Sequence, residues 1–178
     1  MTVSVRRTTA ADWQCLKQLR LAALLDAPTA FGVSHAEAAG DDNARWQARA
    51  AGTGPATFYV AFDGEAAIGM AAAVAADDDR IGLIAMWVAP GWRGAAARVG
   101  DRLVQAVKDH AGEHAVILEV APSNGRAVAF YERHGFRFQA HTERLASHPE
   151  IEVRRMSAAG GSGPGSGPAG LTPGQSPT

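Results

Sequence analysis

IGLIAMWVAPGWRGAAARVGDRLVQAVKDHA, Ile81 to Ala111, opens with an almost wholly apolar run to Val88 and breaks at Pro90-Gly91. Small residues follow around Arg93 and Gly94, and the pattern turns helical near Arg98. A run apolar on both faces reads as a central strand covered by helices on both sides. In the helix, Val99, Leu103, Ala106 and Val107 form the buried stripe, while Arg98, Asp101, Arg102, Gln105 and Lys108 face water. Strand, small-residue loop, helix is how a chain offers unpartnered backbone N–H groups to a phosphate, so an anion is expected between Arg93 and Gly100. Arg98 opposes the helix dipole at the first turn unless an anion reverses the sign. Arg93, fixed in the loop, is the better candidate ligand.

On the N-terminal side, Thr2 to Thr8 alternates as a first strand, and Thr9 and Asp12 can cap a helix. That helix, Ala10 to Leu25, carries Trp13, Leu16, Leu19 and Ala23 on one face and stops at Asp26-Ala27-Pro28. Asp41 to Asn43 can cap a short helix from Ala44 to Ala50 within the less regular piece Thr29 to Gly54. Thr57 to Phe62 and Ala66 to Val74 form a hairpin about Asp63-Gly64. Gly69 and the alanines at 71–73 leave room for something bulky against the second of these strands.

On the C-terminal side, Ala115 to Val120 reads as a strand whose only charge is Glu119, a carboxylate that must pair, protonate or serve chemistry. Ser123-Asn124 caps a helix that carries Ala127, Val128, Phe130, Tyr131 and His134 and ends at Gly135. Phe136 to Ala140 and Glu150 to Met156 read as the last strands, linked through HTERLASHP. A domain over 1–156 is expected, followed by a disordered Gly/Ser/Pro-rich tail over 157–178.

With 178 residues and 47% hydrophobic content, the chain suits one domain with a sizeable core. A net charge of −1 gives no general attraction to nucleic acid or anionic membrane, so phosphate binding must be local. The single cysteine, Cys15, cannot form an internal disulfide and reads as a buried thiol. No pair of His, Cys or carboxylates has metal-ligand spacing, so no metal is expected. With no apolar signal core and no run approaching a membrane span, a cytoplasmic location is expected.

WVAPGWRG followed by VGDRLV, with PSNGRAVAFYERHGF downstream, resembles the Gcn5-related N-acetyltransferase (GNAT) family. The family loop reads Arg/Gln-x-x-Gly-x-Gly/Ala. Here Ala96 and Arg98 take the glycine places counted from Arg93, or else Gly100 is the last glycine and the loop is two residues longer. Alanine can donate its N–H but does not take positive φ cheaply.

The resemblance implies an α/β fold, a mixed, splayed, twisted sheet of six or seven strands with helices on both faces, the strands parting near Pro90. It implies acetyl-CoA as co-substrate, held by Met86, Trp87, Val88, Arg93, Gly94, Ala95, Ala96, Arg98, Val99, Gly100, Asn124, Arg126 and Tyr131. It also implies direct attack by a primary amine of a small molecule or peptide, on a protein that is a monomer or homodimer. Tyr131, in Asn124-x-x-Ala127-x-x-Phe130-Tyr131-x-x-x-Gly135-Phe136, takes the family's general-acid place. A backbone N–H around Trp87 and Val88 would steady the oxyanion. The central strand has no acid, which leaves Glu119 or a water chain as base. Phe31, His35 and Trp46 fall in the acceptor-closing region. The altered loop also admits a different donor, an acyl carrier protein or an aminoacyl-tRNA, or a module that binds acyl-CoA without turnover.

Overall fold

The computed structural model describes residues 2–94 and 98–161; Ala95, Ala96 and most of the tail lie outside the described residues. Along the chain run β1 (Val3–Arg7), α1 (Trp13–Asp26), α2 (His35–Gly40), α3 (Asn43–Ala51), β2 (Ala56–Asp63), β3 (Ala66–Ala75) and β4 (Ile81–Val88). After these come α4 (Val99–Ala111), β5 (Val116–Val120), α5 (Gly125–Arg133), β6 (Arg137–Leu145) and β7 (His148–Ala158). The strands form one sheet in the order β1-β2-β3-β4-β5-β7-β6. Neighbours are antiparallel except β4 and β5, which are parallel. This is the mixed α/β sheet with helices on both faces that the sequence implied.

Alternation along the strands divides the apolar residues between two cores. Ala71, Ala73 and Leu83 meet Val99, Leu103 and Val107 of α4 on one face, while Val60, Met70, Ala72 and Trp87 meet Leu16, Leu19 and Leu24 of α1 on the other. Gly69 is closed in by β4 and α4: a Cβ there would lie 3.0 Å from the Trp87 carbonyl oxygen and 3.2 Å from Val99. The small residues of β3 do therefore face bulky ones. Helix starts follow the capping residues, with Asp42 accepting from the Arg45 N–H at 2.8 Å and Asn124 from the Ala127 N–H at 3.2 Å.

β4 and β5 are paired only at Ile81↔Val116 and Gly82↔Ile117. Opposite β3, the register shifts between Met70 and Ala72, so Ala85 and Met86 face the single residue Ala71, and Ala85 has φ 55°. Such a bulge bends and twists its strand, which turns β4 away from β5. The parting thus begins just after Gly82 rather than at Pro90. Pro90 lies in a short 3-10 turn, and the Ala89 N–H still donates to the Ile68 carbonyl at 2.9 Å.

The last hairpin also differs from expectation. Most of HTERLASHP is strand, because Thr142, Glu143 and Arg144 pair with Arg154, Val153 and Glu152. Being largely exposed and polar, these residues carry no apolar period from which pairing could be read.

Candidate active site

The gap between β4 and β5 opens into a cleft of about 720 Å³ that reaches both faces of the sheet. Met86, Val88, Phe130 and Tyr131 belong to the α4 side, and Ala27, Phe31 and Trp87 to the α1 side. Because the Ala89 N–H points to β3, that of Val88 points to the opposite, open edge. The Val88 carbonyl, on that same edge, accepts from Arg93 Nε at 2.8 Å.

The N-terminus of α4 stands at the mouth. Arg102 is the first residue of this helix whose N–H bonds back, to the Arg98 carbonyl at 3.1 Å, so the N–H groups of Val99, Gly100 and Asp101 precede the intrahelical ladder. Arg98 caps the helix in the left-handed region, φ 50° and ψ 31°, a conformation that favours glycine. It therefore occupies a glycine-type backbone position, with Gly100 packed behind it: a Cβ at Gly100 would lie 3.1 Å from the Phe130 ring. A glycine-type position at Arg98 fits both alignments of the loop. Arg98, Arg126 and Arg133 line this end. Asp101 receives Arg98 on one oxygen at 2.8 Å and His134 on the other at 3.0 Å, and the Arg98 bond is the larger cause holding its carboxyl below the usual range.

At the other end stands Asp26, the last residue of α1. Its Oδ2 accepts Trp87 Nε1 at 2.8 Å and also Arg93 Nη2. These two bonds, Trp87 foremost, hold the carboxyl below its ordinary pKa. Arg93 thus reaches the cleft as expected, but braced between Asp26 and the end of β4. Beside it, the Phe31 carbonyl accepts from Ser147 Oγ at 2.5 Å, tying the chain after α1 to the tip of the β6–β7 hairpin.

Tyr131 lines the middle of the cleft, wedged between Phe130 and Phe136 with ring centroids 5.2 and 5.7 Å away. Burial pushes its phenol well above the ordinary value. Asn124 also lines the cleft while its Oδ1 caps α5.

Four expected residues stand elsewhere. Trp46, 1% exposed, is core beneath α1, and His35 at the start of α2 does not line the cleft. The Val99 side chain is buried against β3 and leaves only its backbone to the mouth. Glu119 does not line the cleft either; its carboxylate accepts from Arg155 Nε at 2.8 Å across the β5–β7 pair, which supplies the pairing a strand carboxylate needs. Glu119, His141 and Glu143 come within 4.8 Å of one another, a juxtaposition that linear spacing could not reveal. Arg155 reaches two of them, at 2.8 Å from Glu119 and 3.9 Å from Glu143, and supplies the positive charge there.

Sequence reasoning did not place Asp26, Phe130 and Arg133 in the lining, and it read Asp101, which also lines the cleft, as facing water. Asp26 carried a signal: a carboxylate in the last turn of a helix opposes the macrodipole and wants another reason to be there.

A search of curated proteins returned no match. Among solved structures, the ribosomal L7/L12 α-N-protein acetyltransferase RimL in complex with coenzyme A is similar at 14% identity and TM-score 0.70, over 89% of this chain and 94% of that one. YncA from Salmonella typhimurium, a putative acetyltransferase with acetyl-CoA, gives 14% and 0.65 over 93% and 99%. NAA60 from Arabidopsis thaliana with a bisubstrate analogue gives 15% and 0.64 over 89% and 98%. The acetyltransferase (GNAT) family model matches residues 20–136, a span that holds the parted strands, the α4 mouth and Tyr131, and the chain belongs to that family.

Proposed function

We propose that this protein transfers an acetyl group from acetyl-CoA to a primary amine by direct attack. The observation that carries the reading is the open edge of β4 facing Tyr131 across one cleft with a helix N-terminus at its mouth. The residues suit the donor: strand amides on the open edge for a pantetheine arm, α4 amides without partners among the described residues and Arg98, Arg126 and Arg133 for a diphosphate, and a passage through the sheet. The similar structures that hold coenzyme A or acetyl-CoA support the same choice of donor.

Acetyl-CoA supplies the thioester carbonyl and the leaving thiolate. The Val88 N–H, fixed on the open edge, donates to the carbonyl oxygen as charge develops there. As the amine nitrogen bonds to the carbonyl carbon, the carbon–sulfur bond breaks and the Tyr131 phenol gives its proton to the sulfur. A phenol is protonated at neutral pH, the form the task requires. The amine releases its own proton to water in the cleft. Glu119, held by Arg155, orders the β5–β7 pair in this scheme and takes no proton.

Isothermal titration with acetyl-CoA and desulfo-CoA tests the reading, with micromolar dissociation constants and subsequent thiol release to an amine panel expected. Absence of binding by both would overturn it, and transfer from an acyl carrier protein or aminoacyl-tRNA instead would replace the donor. Binding without thiol release would identify a module without turnover.

A further inference from the structure

We propose that Asp26 anchors the acceptor, gripping a primary ammonium through Oδ1 at the α1 end of the cleft; this rests on the acetyltransferase reading above. Both protein hydrogen bonds to this carboxylate go to Oδ2, so among the described residues Oδ1 has no partner. The side chain is 30% exposed and lines the cleft. An ionised carboxylate offers about four acceptor sites, of which two are used. The other lining carboxylate, Asp101, is committed through both oxygens to Arg98 and His134.

Charge is arranged to match. Arg98 and the α5 arginines stand on the α4 side, where an anionic donor fits, and Asp26 stands on the α1 side. Arg93 balances part of its charge, yet is turned to Oδ2 and the Val88 carbonyl and leaves Oδ1 clear. Trp87 fixes the carboxylate against β4, beside the open edge, so a nitrogen held there is near the place assigned to the thioester. Ala27, Ala30 and Phe31 supply an apolar wall. The acceptor class is therefore a primary ammonium on an apolar or aromatic stem. Before attack the held ammonium gives one proton to water in the cleft, and the neutral amine so formed attacks the thioester; the acid absent from β4 is thus provided from α1, as a binding group.

Trp87 Nε1–H is a built-in reporter, because it donates to the same carboxylate. Its indole resonance, assigned through Trp87→Phe, is followed while phenethylammonium or the neutral 2-phenylethanol is added to the full chain with desulfo-CoA. A saturable shift with the ammonium alone is expected, weakened at least about tenfold in Asp26→Asn, as for loss of a hydrogen bond to a charged group. Asn still offers an oxygen to Trp87 and Arg93, and unchanged desulfo-CoA affinity in this variant shows that the cleft is intact. Equal response to the alcohol, no response to either in the wild-type chain, or full ammonium affinity in Asp26→Asn overturns the proposal. Failure of desulfo-CoA to bind the wild-type chain sinks the donor reading instead, and the ammonium titration is then read without it.

Discussion

Arg98→Gly, set against Arg98→Ala, isolates the backbone conformation at the head of α4. Both variants remove the same guanidinium and with it the pair to Asp101; because Arg98 is 71% exposed, that pair contributes at most a few tenths of a kcal/mol. Both also remove a cation from a helix N-terminus, which returns about the same amount. The alanine variant is thus expected near wild-type stability. Glycine alone relieves φ 50°, a conformation that costs an L-residue about 1–2 kcal/mol. Its greater freedom in the unfolded chain takes back about 0.5–1 kcal/mol. The net is roughly 1 kcal/mol in favour of glycine, or about 2–4 °C in Tm for a domain of this size. Differential scanning calorimetry of the two variants, without ligand and at one pH, measures it. A glycine variant no more stable than the alanine variant would show that the left-handed cap carries no strain. Acetyl-CoA affinity should fall alike in both, since both lose the same charge.

Tyr131→Phe should lower kcat by about 10²–10⁴-fold with little change in acetyl-CoA affinity, measured by thiol release and titration. The raised phenol pKa adds a pH signature: activity should show no loss from Tyr131 ionisation through the ordinary phenol range near 10. Above that pH the unfolded chain ionises first, so the stability contributed by the buried neutral phenol is lost as pH rises further, which alkaline unfolding of Tyr131→Phe against wild type would reveal. Gly69→Ala drives a methyl against the Trp87 carbonyl and should cost about 1–3 kcal/mol in urea unfolding; a neutral result would mean that α4 can shift away from β3.

Much of the fold could be read from the chain because its signals are local. The apolar run of Ile81 to Val88, the stripe of Val99, Leu103 and Val107 and the caps at Asp42 and Asn124 each depend on neighbours within a few residues. Most cleft residues were legible for a similar reason, since β4, its loop and α5 carry them in two short motifs. What escaped is cross-strand or cross-layer. The Glu119–Arg155 pair and the approach of Glu119 to His141 and Glu143 depend on register, and Asp26 meets Trp87 only because α1 crosses β4. Trp46 was misplaced because an aromatic on a short helix reads alike whether it faces a pocket or the core. The parting of β4 from β5 was assigned to Pro90, which is visible in the sequence, whereas the left-handed Ala85 that bends the strand looks like any other alanine.

Two rungs at Ile81 and Gly82 are the sole ladder joining the leaf β1-β2-β3-β4 to the leaf β5-β7-β6 among the described residues. Beyond them the halves are bridged by helix packing, so a molecule lodged in the gap acts as mortar as well as reactant. Occupancy and heat tolerance are then one quantity: a donor at a hundred times its dissociation constant adds about 2.7 kcal/mol to the folded state. A fold that leaves its seam unsewn gives its substrate a share in holding it together.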